Sequence, residues 1–310
     1  MCGTMSSVHS PLLDISAALL SIGQALDDYF NSRIENAEPL EGSKAEREGR
    51  SPIGATETAG TLFTAGWAWT TLGIPSDHLQ AASRLIYPKR ERASVNRFAI
   101  LSLLRVALEV SSLCWWLVNP KITARERMQR TLRLERWSLD HVDRANGYLT
   151  KTDEHSETKK SVRDAFQARI DQLAEEHKLQ KIRSGSREIP DASDLIGKQF
   201  EAMAGIPGDA RNIYARLSRV THGNMFGTLS GYTRPEGRDQ PTGPGVPIWL
   251  ICVGAQYSAF GFCHAVETYI QFMGWEGETW AESTVGPQKE LEAIAHAANA
   301  AAASNRPITG

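Results

Sequence analysis

Apolar residues recur at intervals of three and four along most of the chain, the spacing of one face of an α-helix. Leu12, Ile15, Leu19, Ile22, Leu26 and Phe30 form such a stripe and predict an amphipathic helix from Ser10 to Arg33. The stripe stops at Ile34. From there to Gly60 the sequence is rich in Glu, Lys, Gly, Ser and Pro, which reads as a mobile linker without regular structure. Leu62 to Leu72 is apolar and fits either a short helix or extended chain. Ser76-Asp77 reads as the N-cap of a short helix reaching Tyr87. Glu91 to Val118 is apolar nearly all round, the pattern of a helix buried at the centre of a bundle. Asn119-Pro120 ends it.

Thr123, with Glu126 three residues on, forms a capping box and opens a helix to about Leu149. Lys151 to Lys160 reads as a polar turn. Val162 to Leu179 follows as a charged peripheral helix, and Ile182 to Pro190 as a basic loop. Ser193 caps a short helix to Ala204, and Asp209 caps the next. Gly231 to Pro247 is dense in Gly and Pro and reads as a loop. Ile248 to Met273 is the second strongly apolar helix. The last helix is expected to begin near Pro287 and to run into the alanine-rich segment Ala293 to Ala303. No strand pattern or internal repeat emerges. The expected architecture is all-α: a helical bundle with two central apolar helices, flanking short helices and long polar loops. It divides into an N-terminal helix and linker over 1–60, a bundle over 61–275, and a C-terminal helix with an alanine-rich tail over 276–310.

Composition changes this picture little. The 310 residues are 41% hydrophobic and 23% charged, ordinary globular values. A formal net charge of -2 provides no global basic field, so nucleic-acid binding would need a local patch. Cys2, Cys114, Cys252 and Cys263 form no C-x-x-C pair and read as core residues of a reducing compartment. The N-terminus has no secretory pattern, and a cytoplasmic location is expected. Phe98 to Val118 carries Arg105 and Glu109 at mid-span, which makes a membrane crossing costly. Ile248 to Val266 has no formal charge and is nearly long enough to span a bilayer. A central helix of a bundle is the preferred reading of both.

Candidate chemistry concentrates between Asp209 and Thr228, DARNIYARLSRVTHGNMFGT. Ser218, Arg219 and His222 share a helix face, and Arg216 lies within one long side chain of it. In the first apolar helix Arg105 and Glu109 stand one turn apart. They read as an i, i+4 ion pair reaching a second helix, or as part of a polar pocket with His222, Ser218, Arg219 and Arg127. Arg130, Arg133 and Arg136, near Lys89, Arg90 and Arg92, are phosphate-binding candidates, although interspersed carboxylates fit a solvated face. No Walker loop, Rossmann fingerprint, H-E-x-x-H or nucleophile elbow occurs, and no metal or cofactor is expected.

Arg216 to His222 spells R-x5-H, and Arg105-Val-Ala-Leu-Glu109 precedes Leu217-Ser-Arg-Val-Thr-His222-Gly. Together they resemble the R-x4-6-H motif and central helix of the HEPN superfamily of helical bundles, over residues 90 to 272. The resemblance implies a metal-independent RNase acting as a homodimer. His222 would then be general base for a ribose 2′-OH, and Arg216 would stabilise the phosphorane. Catalytic members usually carry Asn, Asp or His after the arginine, where this chain has Leu217. The alternative is structural. A histidine at a helix C-terminus is stabilised by the helix dipole and needs no reaction. Three readings remain: a non-catalytic or vestigial HEPN-like module binding RNA or a nucleotide-like ligand, a HEPN-type RNase, or a membrane-associated helical protein.

Overall fold

The two most apolar stretches of sequence run side by side through the middle of the molecule. The computed structural model describes residues 10–33, 38–50, 63–86, 97–149, 153–176, 178–180, 189–222 and 247–304. In chain order the helices are α1 (Ser10–Asn31), α2 (Lys44–Arg50), α3 (Phe63–Ile86), α4 (Arg97–Val118) and α5 (Ala124–Leu149). They continue as α6 (Asp153–Glu176), α7 (Ala192–Ala204), α8 (Pro207–Thr221), α9 (Ile248–Met273) and α10 (Glu278–Ser304). The described residues contain no strand, and the fold is an all-α helical bundle.

α4 and α9 are the central pair. Leu101, Leu104, Leu108 and Leu117 of α4 are fully buried, as are Ile251, Phe262 and Val266 of α9. Each large side chain so buried contributes about 1.5–3 kcal/mol through removal from water. The helices approach closely because α9 presents small residues. The Ser258 hydroxyl donates to the Leu104 carbonyl at 2.7 Å. A Cβ added at Gly261 would meet Leu108 at 3.2 Å. A second interlock joins α7 to both. Gln199 is fully buried, accepts from the Ser112 hydroxyl at 2.6 Å and donates to the Gly261 carbonyl at 2.7 Å. Buried amides satisfied on both sides fix register as well as stability. By length and composition alone α4 and α9 could each cross a membrane, and 67% of the apolar window of α9 is buried inside the fold.

α1 pairs with α3 through Ser16 and Ser83, whose hydroxyls lie 3.1 Å apart and reach each other's backbone carbonyls. Its predicted stripe, Leu12 to Phe30, is buried in the same continuous core as α4 and α9. α10 closes the other side of α1: Trp280 packs edge-on against Tyr29, and the Tyr29 hydroxyl donates to the Glu276 carbonyl at 2.6 Å. α5 and α6 form a hairpin with its own small core of Met128, Leu132, Ile170 and Ala174.

Several sequence expectations are corrected. The segment 34–60 is not wholly irregular. α2 is helical, Ala45 is fully buried, and the Trp275 indole donates to the Glu38 carbonyl at 3.0 Å. Residues 34–37 and 51–60 of that segment lie outside the described residues. α3 runs unbroken through Pro75, so Ser76 is no N-cap. Its hydroxyl donates instead to the Gly23 carbonyl of α1 at 3.2 Å. Burial of Leu72, Leu79 and Ile86 on both sides of the proline outweighs the missing backbone donor. α6 starts at Asp153, where a polar turn was expected, and α10 starts nine residues before Pro287, at Glu278. Asp191, not Ser193, caps α7 by accepting from the Ser193 backbone N–H. α8 starts at Pro207, a first-turn position that needs no N–H, so Asp209 falls inside the helix. The predicted loop 231–246 and most of the basic loop 182–188 lie outside the described residues.

Candidate functional site

α8 lies against α4 and α9, and its phase decides which candidate side chains meet. Ala210, Tyr214, Leu217 and Val220 are buried at spacings of four and three. A Cβ added at Gly254 of α9 would meet Leu217 at 3.2 Å, which places this face on the central pair. Successive residues turn by about 100°, so His222 points about 140° away from Leu217. It caps the C-terminus of α8, donates its backbone N–H to the Ser218 carbonyl and is exposed. Arg216 and Arg219 are exposed as well, and Ser218 is half-buried. The Arg216 guanidinium lies 5.4 Å from the centre of the Trp249 ring, a cation–π contact across to α9.

The polar cluster of α4 closes on Tyr214. Arg105 Nη2 is 3.2 Å from Glu109 Oε2 and donates to the Tyr214 hydroxyl at 3.4 Å. That hydroxyl donates in turn to Glu109 Oε2 at 3.2 Å. The guanidinium also sits 5.6 Å from the tyrosine ring centre. Burial pushes the Tyr214 phenol above its ordinary range, against the lowering pull of Arg105, so it stays a proton donor at neutral pH. The triangle is closed and neutral in sum, with a half-exposed carboxylate and a largely buried guanidinium. Arg105 Nε is buried with no hydrogen-bond partner among the described residues.

Arg127, proposed from the sequence for the same pocket, belongs elsewhere. It is 2% exposed, binds Glu48 of α2 through Nε and Nη2 at 2.8 and 2.6 Å, and donates to the Asn119 carbonyl at 2.6 Å. Its guanidinium lies over Phe272, whereas Arg105 adjoins Leu104 and so Ser258. Fourteen residues of α9 separate those levels, about 20 Å along the axis.

The arginine run of α5 is engaged inside the fold. Arg130 pairs with Glu126 at 3.0 Å, donates to the Trp116 carbonyl at 2.7 Å and lies 4.8 Å from the Trp116 ring centre. Burial lowers its guanidinium below the ordinary range. Arg133 reaches Gln180 at 3.3 Å, and Arg136, 8% exposed, pairs with Asp140 at 3.3 Å. These contacts exist because α5 packs its arginine face on the α3–α4 end and on the return of α6. A phosphate could reach them only by displacing those partners. Lys89, Arg90 and Arg92 lie outside the described residues.

The arrangement therefore presents cations on the outer side of α8 and, among the described residues, hydrogen-bonds none of them to His222. Among the described residues no side chain hydrogen-bonds the His222 ring, and no group of three or more His, Cys, Asp or Glu could hold a metal ion. Cys114, Cys252 and Cys263 are buried. Burial pushes all three thiols up, Cys252 to about 11, so none is a ready nucleophile. Tyr214 was missed in the sequence. Its signal was its place four residues after Ala210 and three before Leu217, on the buried face of an arginine-rich helix. No family model matches the chain, and no curated protein or solved structure matches it.

Proposed function

We propose that the chain is a non-catalytic, HEPN-like helical binding module whose outward α8 face holds a phosphate-bearing ligand, an RNA or a nucleotide-like molecule. One observation carries the reading: Arg216, Arg219 and His222 stand exposed along α8, whereas Arg105, Arg127, Arg130 and Arg136 are engaged with partners inside the fold. Guanidinium groups on a rigid helix suit phosphate oxygens in both geometry and charge. Trp249, beneath Arg216, adds an aromatic surface at the edge of that face. Hydrolysis by the R-x5-H pair would need His222 beside Arg216, and α8 carries the two about 120° apart on its outer side. An RNase would have to bring them together across a homodimer.

The test is fluorescence anisotropy with a labelled single-stranded RNA across a salt series. Binding should weaken as salt rises, and Arg216→Ala/Arg219→Ala should reduce the log–log salt slope by about 1.4, roughly 0.7 for each lost contact to a single strand. Binding equal to that of the parent chain in the double variant would refute the reading. RNA cleavage abolished by His222→Ala would replace it with the RNase. Recovery only in detergent would replace it with the membrane-associated protein.

A further inference from the structure

A second face of the bundle, away from the outward side of α8, carries a cleft of its own. α9 and α10 fold back on each other through Gly274, with Phe262 edge-on to Trp280 at 6.1 Å. Between them lies a groove of about 310 Å³. That is at the lower end of the range for small-molecule sites, roughly 300–1,000 Å³. Its apolar floor includes Phe260, Ala281 and Val285, and Val285 is 47% exposed. Thr284, behind them, is fully buried, and its hydroxyl donates to the Trp280 carbonyl at 2.9 Å. The rim carries Glu267, Glu292 and Lys289, one negative charge in excess.

His264 decides how that excess is placed. It stands on the same face of α9 as Phe260 and Glu267 and leans towards Trp115 of α4, with ring centres 6.5 Å apart. Its Nδ1 is 3.9 Å from Glu267 Oε2, beyond hydrogen-bond length, and its Nε2 is buried with no hydrogen-bond partner among the described residues. The imidazole therefore leaves the Glu267 oxygens open as acceptors, and the side chain of Glu267 is 43% exposed towards solvent. Lys289 is three residues from Glu292 on the same helix face and can offset that carboxylate. The rim thus sets two carboxylates against one ammonium, and Glu267, beside the apolar floor, makes no hydrogen bond with the imidazole 3.9 Å away.

We propose that this groove binds a small organic cation: a primary amine carried on an aryl or alkyl body. The ammonium would donate to Glu267, and the apolar body would lie on Phe260, Ala281 and Val285. An anion of the same shape would meet two carboxylates against one ammonium and be rejected. A neutral analogue would lose the charge-assisted hydrogen bonds.

Isothermal titration calorimetry on the full chain tests the assignment, with 2-phenylethylamine as probe. 3-Phenylpropionate and 2-phenylethanol serve as the anionic and neutral analogues, and spermidine as a cation without an apolar body. Saturable one-to-one binding of the amine is expected, with none by the anion. Glu267→Gln should weaken the amine about tenfold, the loss of roughly one charge-assisted interaction. Ala281→Trp, at an exposed floor position, should block the groove while leaving the melting temperature near the parent value. Binding of the anion as tight as that of the amine would overturn the proposal. So would unchanged amine affinity in Glu267→Gln, equal affinity for spermidine, or no saturable binding at all. Arg216→Ala/Arg219→Ala should leave amine binding intact, so this test and that of the α8 face fail separately.

Discussion

Arg127→Ala should be among the most damaging single substitutions in the protein. The guanidinium is 2% exposed and carries three hydrogen bonds, two to Glu48 Oε1 and one to the Asn119 carbonyl. The Glu48 side chain is itself only 12% exposed. Truncation leaves that carboxylate buried without its counter-charge, opens a cavity beside Phe272, and strands a carbonyl at the α4–α5 turn. Breaking a buried pair from one side costs about 3–5 kcal/mol. Domains are stable by only about 5–15 kcal/mol, so about a fifth or more of the total would go. With a urea slope of about 3 kcal/mol/M, the unfolding midpoint should fall by about 1 M or more. Far-UV circular dichroism of urea series reads this directly. Amide exchange should also show α2 losing protection first, because Glu48 is its anchor. Replacing both partners, as Arg127→Met with Glu48→Leu, should cost far less than Arg127→Ala alone, because no orphan charge remains. An Arg127→Ala midpoint within about 0.2 M of the parent, or a double variant as damaged as the single one, would refute this account of how α2 is held.

Two further predictions concern burial and backbone shape. Burial pushes the Glu135 carboxyl above its ordinary range, against the Trp67 indole and Arg169, and Oε2 is buried with no hydrogen-bond partner among the described residues. A raised folded-state value means that the folded protein holds this proton more tightly, so Glu135 destabilises the fold above that value and the penalty fades as pH falls through it. Glu135→Gln should therefore raise Tm at pH 7 by about 2–4 °C, the shift expected for about 1 kcal/mol, and the gain should shrink towards pH 4 in calorimetric scans. Gly274 ends α9 at φ 74°, and a Cβ there would stand 2.6 Å from Ser43 Cβ, so Gly274→Ala should cost about 2 kcal/mol or more in urea unfolding. Gly197→Ala is the contrast: the nearest atoms to its Cβ belong to the half-exposed Arg211 guanidinium, which can swing away, so it should cost about 0.5 kcal/mol or less.

The bundle was legible in the sequence wherever one face of a helix repeats long enough to define a core. That holds for the stripe of α1 and for the apolar runs that became α4 and α9. Where the prediction failed, a local signal competed with a distant contact. Ser76-Asp77, just after Pro75, and Pro287 both read as helix starts. Leu72 and Leu79 flank the first, and Trp280 and Leu291 flank the second, and all four are buried, so each helix continues through its proline. α2 carries almost no apolar pattern, since its anchor is Glu48 meeting an arginine 79 residues away. No window of neighbouring residues contains that pair.

The site divides along the same line. Arg105 and Glu109 are four apart on one helix, and their pairing is visible in the sequence. Which residue of α8 joins them depends on helical phase relative to the core. Arg216, Arg219 and His222 were conspicuous because they are charged or titratable, and that same property keeps them on the outer side once Leu217 and Val220 turn inward. Tyr214 is inconspicuous as chemistry, yet it is the side chain whose apolar ring can be buried while its hydroxyl bridges an arginine and a carboxylate. α8 thus buries its phenol and leaves its guanidinium groups on the outer side.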